Sequence, residues 1–361
     1  MKKNQVKVKT NLLALDIGSH SVKVAAGQRN GDRLKVTALG KRELPAGVYE
    51  SGQIVDALAL KTTITALIKD LKIKVKDVVV SYESQDIIKR EMTVQKVDDV
   101  DQLELITYEV SQYLPIDIEA YVLQYKVLEE IEEDGAPKLK IILGAMPKET
   151  VKELFELMND CGLNPSYFDM HSNAIEKFME YNFGTIKKTK TIAFVDYGHQ
   201  MIDITLFEKG EFKFNRLIKL GAREFDKVLM EHLNLPAEEA ESRKKKTSVL
   251  ALQNAETEKT RNSNDVKDIV VRETNGYISE VADEIDKVFK YYTTRGYENK
   301  IDEIYLIGGG AQFKEIVPFF KSRFELETYV VDRFEGIDLA TKTAVEDLPI
   351  YVHAVGALIR K

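Results

Sequence analysis

The sequence predicts an α/β fold of two related lobes, with a compact α+β insert carried by the first. Three observations point there. A strand–Asp-x-Gly–turn–strand unit occurs twice, at Asp16 and again at Asp196. Around and after the two copies, segments of helical periodicity alternate with short apolar strand segments. Late in the chain, the strand-like Ile304 to Ile307 runs directly into Gly308-Gly309-Gly310. A length of 361 residues suits two to three domains rather than one core.

In the first copy, Leu12 to Asp16 is a short buried strand ending in Asp16-Ile17-Gly18, and Val22 to Ala26 is a second. Asn30-Gly31 signals a hairpin before a third strand at Leu34 to Leu39. The second copy reads Thr191 to Val195, Asp196-Tyr197-Gly198, Ile202 to Phe207, a Lys209-Gly210 turn and Phe212 to Leu220. Asp16 aligns with Asp196, Gly18 with Gly198, Val22 with Ile202 and Val24 with Ile204. One Asp–Gly turn alone is an ordinary loop. Two in the same order and spacing mark a duplicated unit with pseudo-twofold symmetry.

Between the copies, Asp56 to Leu71 is an amphipathic helix with Leu60, Ile64, Leu67 and Leu71 on one face. Val78 to Tyr82 and Ile87 to Val97 read as strands, and Val100 to Tyr113 as a helix stopped at Pro115. Ala120 to Ile131 and Leu139 to Met146 are strands around the acidic turn Glu129 to Gly135. Lys148 to Cys161 is a helix closed by Gly162, Tyr167 to Met170 a strand, and Ser172 to Tyr181 a helix. After the second copy come helices at Arg223 to Leu233 and Pro236 to Lys246, then a polar loop at Thr247 to Asn264. A long helix at Val266 to Thr293 shows Ile278, Val281, Ile285, Val288 and Tyr292 as its apolar stripe. A helix starting near Phe313 and a last one at Leu348 to Ile359 follow.

Composition narrows the function classes. The net charge of −7 argues against broad nucleic-acid binding. The single Cys161 excludes an internal disulfide framework and reads as a packed small hydrophobe in a reducing compartment. The five His have no metal-ligand spacing, so no transition metal is expected. No segment reaches the roughly 18 apolar residues of a membrane span. The basic run Arg243 to Lys246 and the acidic turn read as solvated surface.

An Asp at a strand end beside a tight Gly turn suits a hydrated Mg²⁺, which is reached through one or two carboxylates plus phosphates. Asp16 and Asp196 would face each other across a cleft, with Gly18 and Gly198 letting backbone approach phosphate oxygens. Lys23 lies on the returning strand, in reach of phosphates as a point charge. Gly308, Gly309 and Gly310 would admit a nucleotide against bare backbone at a helix start. Neither a P-loop nor a G-x-G-x-x-G pattern occurs.

These residues carry a family resemblance over nearly the whole chain. Asp16-Ile17-Gly18-Ser19 with Lys23 resembles the first phosphate motif of the actin, Hsp70 and sugar-kinase superfamily, and Asp196-Tyr197-Gly198 the second. Ile304 to Gly310 resembles the adenosine motif. Gly221-Ala222-Arg223-Glu224-Phe225-Asp226 resembles the turn that precedes the adenosine-contacting helix. Ala240-Glu241-Ser242-Arg243-Lys244 resembles that helix itself, where Glu241 would meet ribose and Lys244 adenine. The Leu44 to Gly47 turn, Gly52 to Asp56 and Glu109 to Pro115 resemble the PilM family of type IV pilus assembly within it. Three segments depart from the pattern: His199-Gln200-Met201, Ala222, and Asp169 to Ala174.

The resemblance implies an actin-like ATPase fold of duplicated ribonuclease-H-like lobes with an SHS2-type insert. The expected division is 1–80 for the start of the first lobe, 81–165 for the insert and 166–190 for the interlobe connection. Residues 191–340 would form the second lobe, and 341–361 a helix returning to the first. It implies ATP with Mg²⁺ held through water by Asp16 and Asp196, and slow or no hydrolysis given the departures. It also implies a cytoplasmic scaffold, placed peripherally at the inner membrane by the N-terminal tail of a single-pass PilN-like protein. No nucleic acid and no direct membrane insertion are expected, and self-association is left open. An FtsA-like filament protein of cell division and a small-molecule kinase are the alternatives. The segment Tyr351 to Arg360 reads as a buried core helix rather than the membrane helix the FtsA-like alternative needs.

Overall fold

Strand alternation in the first repeat produces an antiparallel meander of Asn11–Ile17 (β1), Ser21–Asn30 (β2) and Arg33–Glu43 (β3), in which Asp16 lies opposite Lys23. A small hairpin of Tyr49–Glu50 (β4) and Gln53–Ile54 (β5) follows. Helix α1 (Ala57–Asp70) begins where the Asp56 carboxylate accepts the Ala59 N–H at 2.9 Å, and buries Leu60, Ile64 and Leu67. Strand β6 (Asp77–Tyr82) then pairs parallel with β1. The chain next builds a separate antiparallel sheet from Ile88–Gln95 (β7), Tyr121–Glu133 (β8) and Ala136–Pro147 (β9), in the order β7-β9-β8. Helix α2 (Gln102–Tyr113) covers it, around Val94, Ile106, Val110 and Ile141. Helix α3 (Lys148–Asp160) returns to the first core through Leu154, Leu157 and Met158, and Asn164–Met170 (β10) pairs parallel with β6.

Helix α4 (His171–Phe183) crosses to the second lobe. There Thr191–Tyr197 (β11), Ile202–Glu208 (β12) and Glu211–Ile218 (β13) repeat the meander. Helices α5 (Arg223–Leu233), α6 (Ala237–Lys246), α7 (Val249–Ala255) and α8 (Val266–Thr293) follow. Strand β14 (Glu303–Ile307), a 3₁₀ turn at Gly309–Gln312, α9 (Ile316–Phe324), Glu327–Val330 (β15) and Ile337–Leu339 (β16) come next. The 3₁₀ segment Val345–Tyr351 and α10 (Val352–Leu358) complete the order. This computed structural model describes residues 9–31, 33–98, 101–113, 117–255, 265–296, 298–341 and 345–360.

The duplication extends beyond the hairpins that announced it. One sheet runs β10-β6-β1-β2-β3-β16 and the other β13-β12-β11-β14-β15. Read from β3 and from β13, both give two antiparallel steps followed by two parallel ones. The register is the same, with Asp196 opposite Asp203 as Asp16 is opposite Lys23. The two copies thus carry opposite charges at the second position.

A single apolar cluster joins the lobes. It runs from Leu12, Ala25 and Val79 through Phe178 of α4 and Val355 of α10 to Phe194, Phe207 and Ile307. Helices α4 and α10 cross so closely that a Cβ on Gly356 would overlap the Ala174 carbonyl oxygen. The segment around Tyr351 to Arg360 is therefore core, as its low charge suggests, and Val352 to Ile359 are all buried. Among the described residues no helix is long and apolar enough to cross a membrane.

Two expectations are corrected. Residues 249–255 of the expected polar loop form α7, because Val249 and Leu252, three apart, bury against α8 and α9. The helix expected at Phe313 starts at Ile316, since Gly309 to Gln312 already turn as 3₁₀. Pro115 and residues 256–264 lie outside the described residues.

Candidate functional site

The two repeated turns close in the same way. The Gly18 N–H donates to the Ser21 carbonyl at 3.1 Å and the Gly198 N–H to the Met201 carbonyl at 3.0 Å. Both amides are used inside their turns, so what each glycine supplies is the absence of a Cβ. At Gly18 a Cβ would press on the Lys23 ammonium, and at Gly198 on the Met201 carbonyl. The third glycine segment meets them. Gly308 has φ +79°, a conformation that favours glycine, and a Cβ there would overlap the Asp196 carboxylate. Gly310 packs on the Tyr197 ring, whereas Gly309 faces open space.

Together these segments line one interlobe cleft with about 1390 Å³ of free space, partly open to solvent. Asp16, Gly18, Ser19, Lys23, Asp196, Gly198, Glu241, Lys244, Gly308, Gly309 and Gly310 all border it. Gly221 does not. It packs under the His199–Gln200 turn, where a Cβ would clash, and its carbonyl accepts the Tyr277 hydroxyl at 2.8 Å. The expected adenine contact Lys244 is buried and paired with Asp226 at the rim. Glu241 binds Lys245 at 2.6 Å and lies 3.6 Å from His20.

The cleft floor holds residues that sequence reasoning did not single out. His171, the first residue of α4, places Nε2 3.3 Å from Asp16 Oδ1. His353, on α10, places Nε2 2.9 Å from Asp196 Oδ2. The two imidazoles stack with centroids 3.8 Å apart and planes 20° from parallel. Asp203, Glu83 and Lys89 sit beside them, with Lys89 paired to Glu83 and Asn215 donating to Asp203. No local motif finds this set, because its members lie on separate elements from Glu83 to His353. The only signal was the Asp169 to Ala174 departure, which contains His171.

The electrostatics follow from burial and pairing. Burial alone would raise the Asp16 carboxyl, but Lys23 and His171 outweigh it and hold it well below the usual carboxylate range. Asp196 is likewise pulled down against burial by His353, with His171 and Lys23 adding to the effect. Burial pushes the His171 imidazole down, and its neighbour His353 pushes it further. His353 goes the other way, because Asp196 overcomes its burial. Burial and the neighbouring His20, 5.0 Å away ring to ring, push His199 down to about 4. Asp169 is not at the cleft. Its carboxylate is taken by Lys177, Asn173 and Arg360, the last at 2.8 Å.

Above the floor, side chains from both lobes bridge the cleft. Glu50 receives Gln200 and, at 3.0 Å, Arg223, while the Ser51 N–H donates to the Gln200 side-chain oxygen at 2.8 Å.

The model of the family described as Type IV pilus assembly protein PilM matches residues 14–361. The chain belongs to that family. The match sides with pilus assembly over the cell-division and kinase alternatives. The fold is also similar to a chain of the solved PilM-PilN type IV pilus biogenesis complex, at 18% identity and TM-score 0.80 over 96% of this chain and 97% of that one. It is similar to the ethanolamine utilization protein EutJ from Carboxydothermus hydrogenoformans, at 14% identity and TM-score 0.56 over 97% and 90%. A third likeness, to MreB 5 of Spiroplasma citri bound to AMPPNP, has 12% identity and TM-score 0.55 over 97% and 95%. At such identities the solved structures establish the actin-like fold that this PilM-family chain adopts.

Proposed function

We propose that this chain is an ATP-binding scaffold of type IV pilus assembly, brought to the membrane by the N-terminal tail of a single-pass PilN-like protein. One observation carries the nucleotide reading: both Asp-x-Gly turns and the Gly308 to Gly310 loop converge on one cleft. Phosphates would lie between the Gly18 and Gly198 turns, with Lys23 as the counter-charge and Gly309 leaving room for the base and ribose. Asp16 and Asp196 fit a hydrated Mg²⁺, since both are held ionised and border the same space. When bound, the ion would neutralise phosphate charge. The AMPPNP in the MreB 5 structure supports a nucleotide in this fold.

The PilM-PilN complex supports the partner. Helix α3 packs between α1 of the first lobe and the β8–β9 sheet, and Leu58 of α1 and Phe155 of α3 stay 72% and 46% exposed. Exposed apolar groups on these two helices suit a short tail that orders on binding.

The test is thermal. A ligand that binds only the folded state raises the melting temperature once it exceeds its dissociation constant. Mg-ATP should stabilise the wild type and much less so Gly309→Val, since a Cβ at Gly309 meets open space. No shift in the wild type at millimolar Mg-ATP would refute the nucleotide reading.

A further inference from the structure

The cleft floor gathers more negative charge than its lysines offset. Asp16, Glu83 and Asp203 are at most 6% exposed and the Asp196 side chain is 15% exposed. Lys23 pairs with Asp16 and Lys89 with Glu83, while Asp196 meets His353 and Asp203 meets Asn215. Buried charge of one sign is costly unless a counter-charge or a metal meets it.

The donors for a metal are already assembled. His171, Asp196 and His353 each offer one ligand atom, all within 4.8 Å of one another. Glu83, His171 and Asp203 form a second such trio that shares His171. His353 is only 4% exposed, and its Nδ1 has no hydrogen-bond partner. His171 Nε2 is buried and lies near Asp16 without an aligned hydrogen bond. Such a site is not one for Mg²⁺, which takes oxygen ligands and keeps its waters. Mixed imidazole and carboxylate donors suit cations of the Zn²⁺ class.

We propose that, in the nucleotide-free protein, the cleft floor directly ligates one borderline divalent cation of the Zn²⁺ class through His171, His353 and Asp196. Metal–ligand bonds of about 2.0–2.2 Å put neighbouring donors roughly 3–3.5 Å apart, so the site forms by a small contraction as the rings leave their stack. Its ligands come from α4, from α10 and from the end of β11 in the second lobe. The ion therefore fastens the second lobe to the helices of the first. It also sets positive charge at the floor below the glycine turns, without any nucleotide being present.

The experiment uses the full chain, stripped with chelator and free of nucleotide. Co²⁺ is titrated and followed by its visible ligand-field bands, and Zn²⁺ and Mg²⁺ are titrated by calorimetry. The expected result is one equivalent of Co²⁺ or Zn²⁺, bound far more tightly than Mg²⁺. His171→Ala and His353→Ala should each weaken it by at least about 10- to 100-fold, the loss typical of even outer-sphere partners. Circular dichroism checks that the variants fold; if they do not, the wild-type bands decide alone. No ligand-field band, less than one equivalent retained on dialysis, or equal affinity for Mg²⁺ overturns the proposal. So does loss of binding in His20→Ala but not in the other two, which assigns the ion to the His20, Glu43 and Glu241 trio at the rim. Because no ATP enters this experiment, a negative result leaves the Mg-ATP thermal shift to stand or fall separately.

Discussion

Asp16 and Asp196 were readable in the sequence because an Asp-x-Gly turn is local and its repetition is visible by eye. His353 was not, since nothing within its helix marks it, and it gains meaning only opposite Asp196. Asp169 belongs to the segment that departs from the family pattern. It stands where the resemblance places an acidic interlobe segment, yet Lys177 and Arg360 hold its carboxylate away from the cleft. It therefore has a structural task. Asp169→Ala would leave Lys177 buried without its partner and should destabilise the fold by about 3–5 kcal/mol in chemical denaturation. With Asp169 so occupied, no acid from that segment orients a water for in-line attack. Turnover of ATP should stay well below the roughly 1 s⁻¹ at the low end of common enzymes, and a steady-state phosphate-release assay measures it. At Cys161, burial pushes the thiol up to about 11. Little thiolate then exists at pH 8, so a thiol-reactive disulfide should label the native protein far more slowly than the urea-unfolded chain.

Long periodic elements were the legible ones. The helices at Arg223 to Leu233 and Val266 to Thr293 begin and end where the pattern says, because an apolar stripe over several turns fixes both face and length. Short elements were not. Strands β15 and β16 span four and three residues, too few for alternation to rise above background, and they are strands because a sheet edge is there to receive them. Helix α7 was lost inside a polar stretch for the same reason. The most sensitive contact between elements is the crossing of α4 and α10. Gly356→Ala places a methyl on the Ala174 carbonyl and should cost about 1–3 kcal/mol, read as a lower melting temperature without loss of helical signal.

At the scale of the whole molecule, the lobes meet at the floor through His353 and Asp196 and above it through Glu50, Gln200 and Arg223. The upper bridges tie the two lobes together. Arg223→Ala removes one of them while leaving the floor intact, and Arg223 is half exposed, so little stability should be lost. The expected outcome is a larger radius of gyration in solution scattering and faster nucleotide association. Membrane placement tests the partner reading at the same scale. In fractionated cells the protein should sediment with membranes only when its pilus membrane partners are present. Tight binding to bare liposomes would count against a borrowed anchor.

Helix α10 also bears on the order in which the molecule is made. It fills the space against β1 and β2, from which it is separated by more than three hundred residues of chain. While the ribosome is still translating, the first lobe has five of its sheet's six strands but neither β16 nor the helix that covers the sheet. The second lobe has all five of its strands once Val330 emerges. The lobe made first is thus finished last, and for most of synthesis Leu12, Ala14 and Ala25 are open to chaperones.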